Sequence, residues 1–288
     1  MSEQDVLIIL GAARSGTKFL RDTLARADDA GAIDFDIGYI WSMYHPRSRH
    51  DMLDPALPTN AQIANIRKTI LRYCTRLNNG IPPRVLIEKS VTNSLSPAFV
   101  KRVFPEARFI HLVRDGRATS RSAMKNWISP ADTSHLKRKL RFVPPRQLGY
   151  VLRYGINEIA RRITRAENGP KLWGPRYPGI LDDTLSLPLH EVCALQWRHS
   201  VETIESFLAK QPMETFFQLR YEDLITAPKS IEDLIAFAEI QDKTSVLDYY
   251  NQTVIRGAGP NKSVGSMDPI EKRIHDICRE TNLRFGYH

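Results

Sequence analysis

The sequence predicts an α/β fold, in which one parallel β-sheet carries helices on both of its faces. Apolar strand-like runs alternate with longer helical segments along most of the chain. We predict strands at residues 6–10, 84–88, 108–113 and 215–219, and helices at residues 17–27, 61–77, 115–127, 147–167, 189–210, 229–239 and 269–281, with a further helix starting near Pro97. Such alternation is typical of a parallel sheet, because helices make the crossovers between its strands.

Length and composition predict a single domain over residues 1–288. With 42% hydrophobic content, the chain can bury one substantial core, and α/β folds of this length are often one domain. No run approaches eighteen apolar residues and the first residues, MSEQD, are acidic, so neither a membrane span nor a signal peptide is expected. The glycine- and proline-rich residues 168–188 are predicted to be a long ordered loop, since they include Trp173 and Tyr177.

The cysteines indicate a reducing location. Cys74, Cys193 and Cys278 are odd in number, widely spaced and free of any C-x-x-C pattern. This usage argues against a disulfide framework and against a zinc site, so a cytoplasmic protein without a metal ion is expected.

The first phosphate-binding signal is the turn after the first predicted strand. Gly11 and Gly16 let the backbone approach an anion, and free N–H groups at the start of the next helix point towards it. Side-chain donors come from Arg14, Thr17 and Lys18. The glycine spacing is that of the nucleotide-binding P-loop, but the last two residues of that motif are reversed here. A magnesium–nucleotide site is therefore disfavoured, and an ordinary strand-to-helix turn is the other alternative.

The second signal follows the strand predicted at residues 108–113. Arg114 ends that strand, and the sequence RDGR turns the chain into a helix on which Ser122 lies eight residues after Arg114. A guanidinium can bind a phosphate through two hydrogen bonds, and a hydroxyl about two helical turns further on adds a neutral donor. Taken alone, the same pattern is also typical of a capped turn with solvated charges.

Together these segments resemble the donor-binding motifs of sulfotransferases that use 3′-phosphoadenosine-5′-phosphosulfate (PAPS), and they have that family's separation along the chain. The resemblance implies a P-loop-like parallel sheet and PAPS as the donor. The second motif implies that Arg114 and Ser122 hold the 3′-phosphate. The first loop matches the family's 5′-phosphosulfate loop, which implies donor contacts from Ala13, Arg14, Ser15, Gly16, Thr17 and Lys18.

A third segment supplies a residue for the leaving group. In the family that this chain resembles, a lysine at the end of the middle strand hydrogen-bonds the phosphosulfate bridge, and Lys89 is the matching residue. As the S–O bond breaks, negative charge develops on the departing phosphate, where a positioned ammonium is most effective. Arg14 is expected to assist Lys89. The alternative is an ordinary surface lysine at a strand end.

Two aspartates are candidates for the general base. The cytosolic steroid and phenol sulfotransferases carry a histidine two residues after the lysine, where this chain has Val91. Protein-tyrosine, carbohydrate and bacterial members use a carboxylate just beyond the first helix, where this chain offers Asp34 and Asp36. In an extended segment both would face the same way. We favour Asp36 because its neighbours are more apolar; Asp34 is the rival, and a purely structural role for both is a third alternative.

Two later segments add donor-binding candidates. Tyr221 lies in a strand-and-turn segment, residues 219–228, that resembles one lining the nucleotide cleft of the family, although a packing role is equally compatible. Lys262 and Ser263 lie in a loop, residues 257–266, that only weakly resembles the family's late loop over the 3′-phosphate. An ordinary surface loop is the favoured alternative for those two residues.

Positive charge is concentrated in one region of the chain. Of a net charge of +9, residues 121–176 hold thirteen Lys or Arg against three acidic residues. This region is either a solvated basic face or a surface that gathers an anionic acceptor such as an acidic glycan. Nucleic acid is disfavoured as a partner, because no aromatic interleaving or recognisable module accompanies the charge.

The sequence therefore predicts an enzyme, a PAPS-dependent sulfotransferase that sulfates an acceptor hydroxyl of a glycan or another polar or anionic molecule. Since Golgi members of the family have a membrane stem, a bacterial origin is expected. Neither the acceptor nor the oligomeric state is predicted. Two alternatives are a P-loop kinase or NTPase, which would need magnesium, and a non-catalytic polyanion-binding protein, which the basic region favours and Lys89 with its nearby aspartates disfavours.

Overall fold

The structure is a computed structural model that describes residues 4–46, 48–128, 172–254 and 268–288. Its strands are β1 (Asp5–Leu10), β2 (Ala30–Ala32), β3 (Val85–Glu88), β4 (Arg108–Val113) and β5 (Phe216–Arg220). Its helices are α1 (Thr17–Leu24), α2 (Gly38–Trp41), α3 (Asn60–Leu77), α4 (Pro97–Val103), α5 (Gly116–Ile128), α6 (Ile180–Ser186), α7 (Leu189–Leu208), α8 (Tyr221–Thr226), α9 (Pro228–Phe237), α10 (Lys243–Thr253) and α11 (Pro269–Arg284). A 3-10 turn, Val91–Leu95, follows β3.

The five strands form one parallel sheet in the order β2-β3-β1-β4-β5. Central strand β1 alternates between two core layers, with Val6, Ile8 and Leu10 in one and Leu7 and Ile9 in the other. Helices α2, α3, α4 and α7 pack into the first layer, and α1, α8, α9 and α10 into the second. A strand buried on both faces needs helices on both faces, so the α/β fold-class prediction is confirmed.

Most predicted elements are found close to their predicted ends. The predicted strands shift by one residue at most, and helices α1, α3, α5, α7, α9 and α11 agree within three residues at either end. Strand β2 and helices α2, α8 and α10 are missing from the predicted set. Strand β2 is only the tripeptide Ala-Gly-Ala, which is too short to show a periodic pattern.

The prediction that residues 168–188 form a loop is wrong for residues 180–186, which form α6. That helix begins after Gly179, whose φ of 94° an L-residue rarely adopts, and carries Asp182 and Asp183 in its first turn. Acidic side chains there stabilise the helix through its dipole. The segment around Tyr177 is packed against the protein, as expected: the Tyr177 side chain is buried, and its hydroxyl donates to Asp183 Oδ2 at 2.6 Å. The glycines and prolines that predicted a loop thus delimit a short helix.

Parts of the sequence predictions fall outside the described residues. These are the helix predicted at residues 147–167 and most of the basic region 121–176. A single domain over residues 1–288 stays a prediction. In the part of the chain that the structure describes, no helix combines the length and hydropathy that crossing a bilayer requires.

Helix α11 holds the start of α5, the helix that carries Ser122, through hydrogen bonds. Asn282 accepts a hydrogen bond from the Gly116 amide at 3.0 Å and donates one to Asp115 Oδ1 at 2.9 Å. Gly116 is required for this close approach, because a Cβ there would lie 2.8 Å from both Cys278 and Trp197. The chain just beyond β4 is therefore fixed by residues more than 160 positions later in sequence.

We expect Asn282→Ala to lower the free energy of unfolding by about 1–3 kcal/mol, because the buried Gly116 amide loses its acceptor. Denaturant unfolding of the variant and the wild type measures the difference. Asn65→Ala is the control, since Asn65 is exposed on α3 and bonds only peripheral groups; we expect it to change stability by less than about 0.5 kcal/mol. Equal losses of stability in the two variants would contradict a stabilising role for the hydrogen bonds of Asn282.

Candidate functional site

The predicted site residues meet at the carboxyl edge of the sheet. The first loop follows β1, Lys89 follows β3, Arg114 follows β4, and Tyr221 follows β5. The strands are parallel, so all four ends lie on the same side. The chain adds strands on one side of β1 first and then crosses to β4 on the other. This change of direction opens a crevice at the strand ends where α/β proteins bind ligands.

The first loop has the backbone of an anion-binding turn. Gly16 precedes α1 with φ 91°, and Arg14 also adopts a left-handed conformation, with φ 74°. No side chain caps the α1 N-terminus, so its first amides are available to an anion. A Cβ at position 16 would lie 2.5 Å from the Tyr221 ring, which shows that glycine is needed for Tyr221 to pack on the loop.

The loop also has an orphaned polar group. Ser15 is fully buried, and its hydroxyl has no hydrogen-bond partner among the described residues. Ala13 and Thr17 are buried on either side of it. A buried hydroxyl without a partner is costly, and a bound anion would supply the missing acceptor. The loop therefore fits the phosphate-bearing donor that the sequence predicts.

The second motif contacts the first loop directly. Arg14 Nε donates to Ser122 Oγ at 3.0 Å, and Arg114 Nη1 donates to the Arg14 carbonyl oxygen at 3.3 Å. The Arg114 guanidinium also lies 4.3 Å from the centre of the Tyr221 ring, a cation–π contact. Its Nε has no partner among the described groups. Two guanidinium groups and a hydroxyl thus converge at the motif that, by its resemblance to the family, was predicted to hold the 3′-phosphate.

Lys18 behaves differently from the rest of the first motif. Its Nζ lies 2.6 Å from Asp22 Oδ2, one helical turn along α1, and its side chain is 70% exposed. The structure therefore does not bring the Lys18 ammonium to the loop. Lys262 and Ser263 lie outside the described residues.

Lys89 and Asp36 form a pair on the other side of the first loop. Lys89 Nζ lies 3.2 Å from Asp36 Oδ1, which also accepts a hydrogen bond from the Val91 amide at 3.2 Å. Lys89 is buried, whereas the Asp36 side chain is 43% exposed. Asp36 therefore sits beside a cation at the cleft surface, and the apolar setting expected from its sequence neighbours is not what surrounds its carboxylate.

The segment that carries the two aspartates alternates as predicted. Ile33, Phe35 and Ile37 are buried in the core, and Asp34 and Asp36 between them are only half-buried. Both aspartates are thus less buried than the apolar residues that flank them, although Oδ1 of Asp34 is itself buried. Of the two, Asp36 is the one that pairs with Lys89.

Sequence reasoning missed Glu88, the last residue of β3. Its carboxyl is fully buried and accepts hydrogen bonds from Ser90 Oγ at 2.6 Å, Asn93 Nδ2 at 2.7 Å and Trp41 Nε1 at 3.3 Å. Burial raises its pKa to about 7, with a further upward contribution from the Asp36 charge, against the lowering effects of Ser90, Trp41 and Lys89. A glutamate inside an apolar strand, directly before the predicted lysine, was the available signal.

Among residues 4–46, 48–128, 172–254 and 268–288, no three His, Cys, Asp or Glu side chains are grouped so that they could hold a metal ion.

The comparisons with known proteins point to one family. The model of the sulfotransferase family matches residues 6–154, a stretch that includes the first loop, Lys89, Arg114 and Ser122. No curated protein matches the sequence significantly.

Among the solved structures with a similar fold are two bacterial or biosynthetic sulfotransferases. The sulfotransferase domain from the curacin biosynthetic pathway is 17% identical, with a TM-score of 0.51, and the match covers 100% of this chain and 99% of that chain. Sulfotransferase STF9 from Mycobacterium avium is 13% identical, with a TM-score of 0.55 and coverage of 99% and 78%. At these identities the structural likeness concerns the fold alone.

Glu88 gives a prediction for stability against pH. Because its pKa in the folded protein, about 7, is above that of a carboxyl in the unfolded chain, the folded state keeps a proton that the unfolded chain has lost. The contribution of Glu88 to stability should therefore fall as the pH rises from about 5 to about 8, by an amount on the order of a few kcal/mol, while buried His111, whose pKa burial lowers to about 4, contributes in the opposite direction in every variant. Glu88→Gln should remove most of this fall.

Chemical unfolding at several pH values measures the effect. Glu232→Gln serves as control, because Glu232 is exposed on α9. The wild type and this control should show the same pH dependence. If the free energy of unfolding of Glu88→Gln depended on pH as that of the wild type does, the raised pKa of Glu88 would be contradicted.

Proposed function

The chain belongs to the sulfotransferase family, and we propose that it transfers the sulfuryl group of PAPS to the hydroxyl of an acceptor. The observation that carries this proposal is the meeting of four separate sequence segments at one sheet edge. Arg14 contacts Ser122 and Arg114 on one side of the first loop, while Lys89 and Asp36 form a pair at the end of the neighbouring strand.

The first loop and the start of α5 bind the donor in this proposal. The uncapped α1 amides and the Ser15 and Thr17 hydroxyls hold the 5′-phosphate, while Arg114 and Ser122 hold the 3′-phosphate. Tyr221, packed on Gly16 and under Arg114, forms the floor between the two phosphate positions. Ala13 lines the loop. Three further residues are candidates for donor contacts: Lys18, Lys262 and Ser263. Of these, Lys18 would first have to leave its ion pair with Asp22.

Asp36 and Lys89 perform the chemistry in this proposal. PAPS supplies a sulfuryl group whose bond to the 5′-phosphate oxygen is the one that breaks. Asp36 accepts the proton of the acceptor hydroxyl, whose oxygen forms the new bond to sulfur. Lys89, with Arg14, stabilises the negative charge that develops on the departing phosphate oxygen. Asp34 is the alternative base, less buried than the apolar residues that flank it.

The acceptor that we propose is a glycan or another polar or anionic molecule with a free hydroxyl. This rests on the basic composition of residues 121–176, which would raise the encounter rate with an anion. We propose a bacterial cytoplasm as the setting; the three cysteines are buried and unpaired, as in proteins of reducing compartments.

An acceptor screen with radiolabelled PAPS tests the proposal. Purified protein is incubated with panels of glycans, lipids and tyrosine peptides, and label in the acceptor is counted. We expect transfer to at least one panel, and none from an Asp36→Asn, Lys89→Ala double variant that still binds adenosine 3′,5′-bisphosphate. Tight binding of ATP with magnesium and weak binding of the bisphosphate would overturn the donor assignment in favour of a kinase.

We expect Arg114→Ala to weaken the binding of adenosine 3′,5′-bisphosphate by about 2–4 kcal/mol, because a charge-assisted phosphate contact is lost. Calorimetry measures the change, with ATP as the comparison ligand, which should bind weakly to both proteins. Arg117→Ala is the matched control: Arg117 is on the same turn but pairs with Asp115. Similar losses from both substitutions would mean that Arg114 only supports the local fold.

Lys89→Ala should lower kcat by about a hundredfold or more, with a smaller change in bisphosphate affinity, because the Lys89 contact strengthens as charge develops on the leaving group. Steady-state kinetics and calorimetry on the same preparations give the two numbers. Lys229→Ala, an exposed lysine that pairs with Asp233 on α9, should leave both unchanged. Near-normal turnover of Lys89→Ala would assign Lys89 a structural role only.

Asp36→Asn should lower kcat by a factor on the order of 10² to 10⁴ and flatten the acidic limb of the pH–rate profile, while bisphosphate binding is retained. The physical reason is that an amide cannot accept the acceptor proton. Asp34→Asn is the matched variant two residues away and should have a much smaller effect. The opposite ranking would move the base to Asp34, and full activity of both variants would exclude either aspartate.

A further inference from the structure

A buried hydrogen-bond network connects the two segments that carry Asp36 and Lys89. We call it the Glu88 network: the side chains of Glu88, Trp41, Ser90 and Asn93 with the backbone amide of Ile37. Ser90 Oγ is its central link, because it donates to Glu88 Oε1 at 2.6 Å and accepts from the Ile37 amide at 2.9 Å. All four side chains are at most 2% exposed.

The network attaches on both sides of the Asp36–Lys89 pair. Glu88 directly precedes Lys89, and the Ile37 amide directly follows Asp36. Trp41, at the far end of α2, reaches the same carboxyl group and fixes the helix that follows Asp36. The backbone on each side of the pair is therefore tied to one buried carboxyl.

The pair alone is poorly suited to hold its own geometry. The Asp36 carboxylate is 43% exposed and its distance to Lys89 Nζ is 3.2 Å, so solvent screens the attraction. Hydrogen bonds to a fully buried carboxyl are screened far less and have defined directions. Orientation of the exposed carboxylate therefore depends on the Val91 amide and on the Asp36 backbone, both of which directly adjoin residues of the network.

We propose that the Glu88 network positions Asp36 against Lys89, with Ser90 as the residue that transmits the restraint. The catalytic consequence rests on the proposed function: a base held beside the ammonium is aligned to take the acceptor proton, and loss of the restraint lowers kcat without weakening donor binding. Glu88 and Ser90 are positioning residues in this assignment and touch no reacting atom.

Amide hydrogen exchange tests the restraint without any assay of activity. The Val91 amide donates to Asp36 Oδ1, so its exchange rate reports whether Asp36 stays in place. Ser90→Ala should raise the exchange rates of the Ile37 and Val91 amides by about tenfold or more. Ser94→Ala is the matched control, because Ser94 is buried in the same turn but its hydroxyl donates to the Val91 carbonyl oxygen.

The control should leave both exchange rates at wild-type values. Faster exchange at Ile37 with an unchanged Val91 would overturn the proposal, since Ser90 would then restrain only its own hydrogen-bond partner. The same conclusion follows if Ser94→Ala accelerates Val91 as much as Ser90→Ala does.

A double-mutant cycle tests the consequence for catalysis. Turnover of radiolabelled PAPS with water as the acceptor is followed as inorganic sulfate released. Ser90→Ala should lower kcat about tenfold in the wild-type background and less than about twofold in the Asp36→Asn background, with bisphosphate affinity unchanged in both. Equal losses in the two backgrounds would overturn a role that acts through Asp36.

Failure of the proposed function and failure of the positioning role give different experimental results. If Asp36→Asn turns over PAPS at the wild-type rate, the base in the proposed function is wrong, and the restraint is still decided by Val91 exchange. If Asp36→Asn is inactive and Ser90→Ala is fully active, the proposed function stands and the positioning role is wrong.

Discussion

The parallel pairing of β1 with both β3 and β4 is the constraint on which the whole site depends. Its register places Ile8 beside Glu88 and Leu10 beside His111, so β3, β1 and β4 end at the same edge of the sheet, each two residues further along than the one before. The loop after β1 thereby lies between Lys89 and Arg114, residues that are far apart in the chain. Antiparallel pairing at either side would send one of these residues to the opposite edge, and no side-chain contact could compensate.

The site gathers positive charge and holds it in place through contacts within the protein. Arg114 uses an aromatic face and a backbone carbonyl, Arg14 uses a hydroxyl, and Lys89 uses a carboxylate. Only the last of these partners carries a full negative charge. Among the residues that the structure describes, the two arginines are therefore oriented but not neutralised, and their charge stays available to an incoming anion.

The role of a residue can be predicted from sequence where only a few residue types can fill that role. Glycine at position 16 could be found because the backbone conformation demands it, and Arg114, just after β4, because the proposed phosphate site would demand a guanidinium. The predicted contact of Lys18 could not be tested by pattern alone, since whether an exposed ammonium turns to the loop or to Asp22 depends on the helix surface. Strand β2 and the role of Glu88 were missed for a related reason. Both depend on what neighbouring segments place beside them, which no local spacing encodes.

The contact of Asn282 with Asp115 and Gly116 has a consequence for the order of folding. Both motifs of the proposed phosphate site lie in the first half of the chain, yet the start of α5 contacts α11, a helix near the end of the chain. Such a long loop closure is slow, and a chain emerging from the ribosome makes its N-terminal contacts first. We therefore expect the sheet to form before the 3′-phosphate subsite, and pulse-labelled exchange would disprove this if the Gly116 amide became protected before α11 had formed.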